Sequence, residues 1–157
     1  MKSFLLKIWQ LLKLPKNLQL FVVRKVEDQF LVGATGVVFN DQNQILLLKH
    51  TYRGPNSWHL PAGYIKAGEH PKEGLEREIE EETGFTVSID DRLKIRTDRD
   101  SPRLEIIYLG AFIGGDFRPS AEVSAAKFFS FDKLPSLPKD QLIFINRAFN
   151  KNTLPPT

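Results

Sequence analysis

The sequence predicts an α/β fold, a mixed β-sheet with helices on its faces, and three observations carry that prediction. Short apolar, β-branched runs recur along the chain, one helical pattern interrupts them near the middle, and a second follows them near the end. At 157 residues there is room for one such domain and not for two, and a chain of this size buries about 68–70% of the surface its unfolded form exposes. A hydrophobic content of 41% and a charged content of 26% are ordinary for a globular protein.

Taken in order, the first segment, MKSFLLKIWQLLKL, reads as an amphipathic helix to about Leu14. Leu5, Ile8, Trp9 and Leu12 share one side, lysines occupy the rest, and Pro15 stops it. Lys7 and Lys13 break the apolar run and no small-residue cleavage site follows, which argues against a signal peptide. The stretch between charges is also too short to span a bilayer. The chain is therefore divided into an N-terminal helix and connector over residues 1–25, a globular domain over 26–150 and a frayed tail over 151–157. The helix is expected to cover the domain or a homodimer surface; the alternative is membrane-surface contact through residues 1–14, which would make a cytoplasmic protein peripheral at the membrane.

Leu31 to Asn40 is apolar and β-branched, Asp41 to Gln44 supplies turn residues, and Ile45 to Leu48 is a second run, so this region reads as a β-hairpin. After a loop holding Gly54-Pro55, Trp58-His59-Leu60 forms a brief strand leading to Pro61-Ala62-Gly63. A helix is predicted from about His70 to Thr83, with Pro71 at its first position and Gly84 beyond its end. Strands follow at Phe85–Ile89, Arg103–Ile113 and about Ala126–Phe131, and a last helix covers about Lys139–Asn150 with Leu142, Ile143, Ile145 and Phe149 as its apolar positions. No internal repeat or low-complexity tract is visible.

The chemistry concentrates between Gly63 and Phe85, GYIKAGEHPKEGLEREIEEETGF. Residues three and four apart share a helix face, so Glu78 meets Glu81 and Glu82 while Leu75 and Ile79 fall on the apolar side. Like charges at i,i+4 cost an isolated helix about 0.2–0.5 kcal/mol per pair, and Arg77, within reach of Glu69, Glu73 and Glu81, cannot neutralise the whole set. Hard oxygen ligands without cysteine favour Mg²⁺, with Mn²⁺ as the alternative, over zinc or copper. Zero cysteines also exclude disulfides and thiol nucleophiles, and fit a reducing compartment. The net charge of +3 is modest, and with no Lys/Arg run there is no strong nucleic-acid signal.

This stretch resembles the Nudix box, the signature of the Nudix hydrolase family. Gly63, Glu69, Arg77, Glu78, Ile79, Glu81, Glu82, Gly84 and Phe85 meet each specified position, and the wider resemblance runs from about Val32 to Pro135. Two positions depart mildly: Gly74 stands where relatives often carry Ala, at a helix cost of about 0.8–1.0 kcal/mol, and His70 is not a favoured N-cap.

The resemblance implies an α/β/α sandwich and metal-dependent hydrolysis of a pyrophosphate bond in a nucleoside diphosphate derivative, with ADP-ribose or another nucleotide sugar favoured. It implies Glu78, Glu81, Glu82 and the carbonyl of Ala62 as metal ligands, Arg77 as a support braced by Glu69, and Glu76 and Glu80 as solvent-facing positions. Glu122 is the candidate general base and Glu105 a weaker one. Tyr52, Arg53 and Arg103 are the candidate substrate contacts, with Arg96 and Arg99 in the same cationic cluster; Trp58, His50 and His59 read as structural. Pro102 lies near where ADP-ribose-cleaving relatives often carry a proline. The alternatives are a house-cleaning nucleoside triphosphate pyrophosphohydrolase and a nucleotide-sensing module that keeps the fold.

Overall fold

A computed structural model describes residues 15–54, 57–97 and 100–153. The chain divides into two compact units, Met1–Phe30 and Leu31–Thr157. In the first, α1 spans Lys16–Val26, where the sequence suggests only a connector; the helix expected up to Leu14 lies outside the described residues. Proline explains the difference. Pro15 is tolerated at a helix start, and here it opens α1, its carbonyl accepting from the N–H groups of Leu18 and Gln19 at 3.0 and 3.1 Å. Arg24 and Lys25 in the last turn suit the negative end of the helix.

The second unit is a seven-stranded mixed sheet with β1 (Leu31–Phe39), β2 (Ile45–His50), β3 (Trp58–His59), β4 (Ala62–Tyr64), β5 (Thr86–Thr97), β6 (Arg103–Gly114) and β7 (Val123–Phe129). Its main order is β3-β2-β1-β6-β5, with β4 paired to β1 and β7 to β2. Helix α2 (Pro71–Thr83) precedes β5, and α3 (Lys139–Thr153) ends the described chain. Among the described residues no helix is long and apolar enough to cross a membrane.

Strand β2 shows why this is a sandwich. Leu46 and Leu48 point into a core with Leu75 and Ile79 of α2, while Ile45 and Leu47 point into a second core with Phe144, Ile145 and Ala148 of α3. With both faces covered, the strand has no reason to alternate and reads as a continuous apolar run. The same division places Val38 against α2 and Val37 against α3.

The expected hairpin is present only at its base. Phe39 pairs with Ile45 across a turn in which the Asn40 side chain accepts from the N–H groups of Gln42 and Gln44, and Asn43 takes φ 58°. Beyond that point the strands separate: β1 runs parallel to β6 from Leu31↔Arg103 to Phe39↔Ala111, and β2 runs antiparallel to β7 from Ile45↔Phe129 to His50↔Val123. Strand β5 runs well past Ile89. Its polar Asp90-Asp91-Arg92 lies at register shifts against β6 on the sheet's outer strand, where exposed residues break the pattern a sequence reading relies on. Strand β7 likewise begins earlier than expected, at Val123.

Candidate active site

Helix α2 is held at both ends. His70 serves as N-cap after all, its Nδ1 accepting from the Lys72 N–H at 3.3 Å, and Gly84 adopts φ 75°, its N–H bonding to the Glu80 carbonyl at 2.8 Å. The glycine at position 74 has a packing reason. A methyl there would lie 2.7 Å from Glu69 Oε2 and 2.8 Å from Ile65 Cδ1, so the ends of these two side chains would have to give way to admit it. At Gly63 the fit is tighter still, since a Cβ would stand 2.2 Å from Glu78 Cγ.

Arg77 gathers acids around itself. Its Nε and Nη2 fork onto the two oxygens of Glu69 at 2.7 and 3.1 Å, and its Nη1 donates to Glu78 at 2.7 Å and Glu81 at 3.0 Å. The anticipated Glu73 is not among these partners. Glu69 also accepts from the Lys66 N–H at 3.0 Å, and the arginine hydrogen bond holds its carboxyl down at about 2. Glu76, expected in solvent, instead accepts from the Ile89 N–H at 2.7 Å and ties α2 to β5; Glu80 is exposed as expected.

Glu82 is the contrasting group. It is 9% exposed, its Oε2 has no hydrogen-bond partner among the described residues, and burial, followed by the charges of Glu122 and Glu78, pushes its carboxyl up to about 7. Glu78, Glu82 and Glu122 line one cavity of about 280 Å³ together with Ala62, Tyr52, Arg53 and Arg103. Tyr64, exposed at 54%, lies on the same wall; as a free position of the box it had no signal in the sequence. Glu81 is not on that wall and engages Arg77 and Lys66 instead.

A second cavity of about 210 Å³ shares Thr35, Tyr52, Arg53, Ala62, Arg103 and Glu105 with the first and extends to α3. Here Arg96 is committed: it donates to Glu105 at 2.5 Å and Asp140 at 2.8 Å and lies 5.0 Å from the Phe144 ring centroid. Glu105 accepts from Thr35 Oγ1 at 2.6 Å as well, so each of its oxygens already has a protein donor. His50 and His59 are buried, and burial lowers both, His59 to about 4. Trp58 packs edge-on against Phe129 at 5.1 Å in the α3-side core. Arg99 lies outside the described residues, and the carbonyl of Pro102 accepts from the Leu31 N–H at 2.8 Å.

Among the described residues, no three His, Asp or Glu side chains are gathered as a ready cage for a metal ion. Glu78 and Glu81 lean onto Arg77. The donor set nevertheless fits a hard cation: all the acidic groups are oxygen ligands, four line one cavity, and among the described residues one of them has a buried oxygen without a partner.

A sequence model of the NUDIX domain matches residues 29–149. The chain is 33% identical over 117 residues to the ADP-ribose pyrophosphatase of Methanocaldococcus jannaschii, covering 69% of this chain and 67% of that protein. It is 27% identical over 103 residues to a MutT-like protein of Streptomyces ambofaciens, covering 66% of each. Among solved structures, an ADP-ribose pyrophosphatase from Streptococcus suis superimposes with a TM-score of 0.66 at 25% identity, covering 77% of this chain and 92% of that one.

Proposed function

This chain belongs to the Nudix hydrolase family, and from that premise we propose that it hydrolyses the pyrophosphate bond of a nucleoside diphosphate derivative, ADP-ribose or another nucleotide sugar. The observation that carries the reading is Glu82, a buried carboxyl with an oxygen unpartnered among the described residues, raised first by burial and then by two neighbouring acids, in a cavity also lined by Arg53 and Arg103. A bound cation would offset both the burial and the repulsion. The similarity to an ADP-ribose pyrophosphatase favours the nucleotide-sugar substrate over a triphosphate.

Family members generally need a divalent cation, and we assign Mg²⁺, or Mn²⁺, to Glu78, Glu82 and the carbonyl of Ala62, with Glu81 joining if it leaves Arg77. When bound, the ion neutralises the diphosphate and lowers the pKa of the attacking water. The protein's own groups divide the remaining work. Arg53 and Arg103 bind diphosphate oxygens, Tyr52 packs on the organic portion, and Arg77 with Glu69 keeps α2 and its turn in place. Glu122, exposed at the cavity and unencumbered by an ion pair among the described residues, accepts the proton as water attacks phosphorus and the anhydride oxygen leaves. Glu105 is the poorer base because Arg96 and Thr35 occupy both of its oxygens.

A panel of nucleotide sugars, dinucleotides and nucleoside triphosphates, assayed with Mg²⁺ and with Mn²⁺ and resolved by product, tests this. A nucleoside monophosphate plus a sugar phosphate is expected. Monophosphate plus pyrophosphate would transfer the assignment to the triphosphates, and stoichiometric binding without product would replace the enzyme by a sensor.

A further inference from the structure

Resting on the reading of Arg53 as a diphosphate contact, we infer that His59 and Gln141 are positioning residues for that guanidinium, so that the first turn of α3 sets the enzyme's grip on its substrate. Arg53 needs such help. It stands in the loop between β2 and β3, and a long side chain on a loop loses considerable rotamer freedom when a ligand fixes it. Restraint before binding removes part of that loss.

The hydrogen bonds give the restraint its direction. Arg53 Nη1 lies 3.0 Å from His59 Nδ1 and 3.3 Å from Nε2, and a guanidinium can only donate; with Ser57 Oγ taking up Nε2, the nearer Nδ1 is assigned as the acceptor. The imidazole proton then belongs on Nε2, which donates to Ser57 Oγ. Gln141 Nε2 approaches the same Nδ1 at 3.3 Å, a second donor that agrees with this tautomer. The other end of the Gln141 amide is also occupied, Oε1 accepting from the Leu60 N–H at 2.8 Å. One side chain on α3 therefore fixes both the imidazole that holds Arg53 and the backbone immediately before Pro61 and Ala62.

Burial serves the same end. His59 is 7% exposed, and a ring kept from water retains the lone pair that a cationic donor requires. Tyr52 adds a restraint from the opposite type of group, its ring centroid 5.7 Å from the Arg53 guanidinium carbon. A guanidinium carries five N–H donors, so these contacts leave most of the fork for phosphate oxygens. A histidine serving the core alone would not direct its acceptor to a side chain that lines both cavities.

The test is a double-mutant cycle read by calorimetric binding of methylenediphosphonate, a non-hydrolysable diphosphate analogue, in the presence of Mg²⁺. Arg53→Ala should weaken binding about tenfold or more. His59→Phe and Gln141→Leu should each weaken it about three- to tenfold when Arg53 is present, and leave it unchanged in the Arg53→Ala background. His59→Gln, which keeps an acceptor, should recover part of the loss. Should His59→Phe fail to fold, the partly exposed Gln141→Leu carries the same cycle. Equal weakening with and without Arg53, no weakening at all, or no diphosphonate binding by the wild type would each overturn the inference. Substrate identity is decided apart from it: product on the panel with additive binding effects sinks the relay alone, and coupled binding effects without product sink the hydrolase alone.

Discussion

Glu69 and Glu82 belong to the same acidic stretch, yet their carboxylates live in opposite circumstances. Glu69 is gripped by the Arg77 fork and the Lys66 N–H, and is held down at about 2. Glu82, about three turns on from Pro71, is buried beside two like charges, keeps an oxygen without a partner among the described residues, and is pushed up to about 7. The first arrangement is complete in the protein as it stands, and so it holds the turn to the helix. The second is incomplete, and incompleteness in a buried acid is what a site awaiting a cation looks like.

The sharpest way to break this contrast is Glu82→Gln, which keeps the size and removes the charge. Turnover should fall about a thousandfold while the melting temperature holds or rises, because a repelling charge has gone. Near-normal turnover in the folded variant would show that the unpartnered oxygen serves nothing. Next in size is the effect of metal on stability. A cation bound only by the folded state adds RT ln(1 + [L]/Kd), about 2.7 kcal/mol at a hundredfold excess over Kd. Thermal melts with and without Mg²⁺ should show that gain in the wild type and little of it in Glu78→Gln/Glu82→Gln. An equal gain in both proteins would place the ion elsewhere.

Smaller in effect, Gly74→Ala probes the completed half of the cluster. In an open helix the change would add about 0.8–1.0 kcal/mol of stability. Here the methyl meets Glu69, which Arg77 pins, so chemical denaturation should reveal no gain. A full gain would mean that Glu69 is free to move aside. The finest distinction is the pH dependence of stability without divalent ions, in which the two glutamates should have slopes of opposite sign. Glu69 lies below its ordinary 4.5, so the unfolded chain binds more protons there; its stabilisation is present above 4.5 and lost as pH falls towards 2. Glu82 lies above 4.5, so stability falls as pH rises from 4.5 through 7. Glu69→Gln should flatten the first limb only, and Glu82→Gln the second only.

What could be read in advance follows the range of the interactions. Helix α2 was legible to its caps because Pro71, Gly84 and the i,i+4 acids are local signals, and the bracing of Arg77 by Glu69 came with the family pattern. Glu76 reads as a solvent-facing position in the sequence because its partner is the backbone of another strand, which no helical spacing reports. Arg96 looked like an equivalent of Arg53 and Arg103 until β5, β6 and α3 brought Glu105 and Asp140 to it. Gln141 had no signal at all: in sequence it is one polar residue opening an amphipathic helix, and its importance arises only when that helix packs beside Leu60. The mixed sheet was expected, whereas the partners of β1 and β2 were not, since turn residues disclose that two strands are consecutive and not how far they remain paired.

Strand β2 carries a further consequence, for the making of the protein. Ile45 to Leu48 is an apolar, uncharged segment, and its long ladder is with β7, which ends at Phe129. The neighbouring β1 must likewise wait for β6 before its parallel ladder can close. During synthesis the ribosome therefore releases both strands long before their partners exist, and loop closure over such separations is slow. Until β6 and β7 arrive, these two apolar strands are open to pairing with copies of themselves, and a chaperone would protect both.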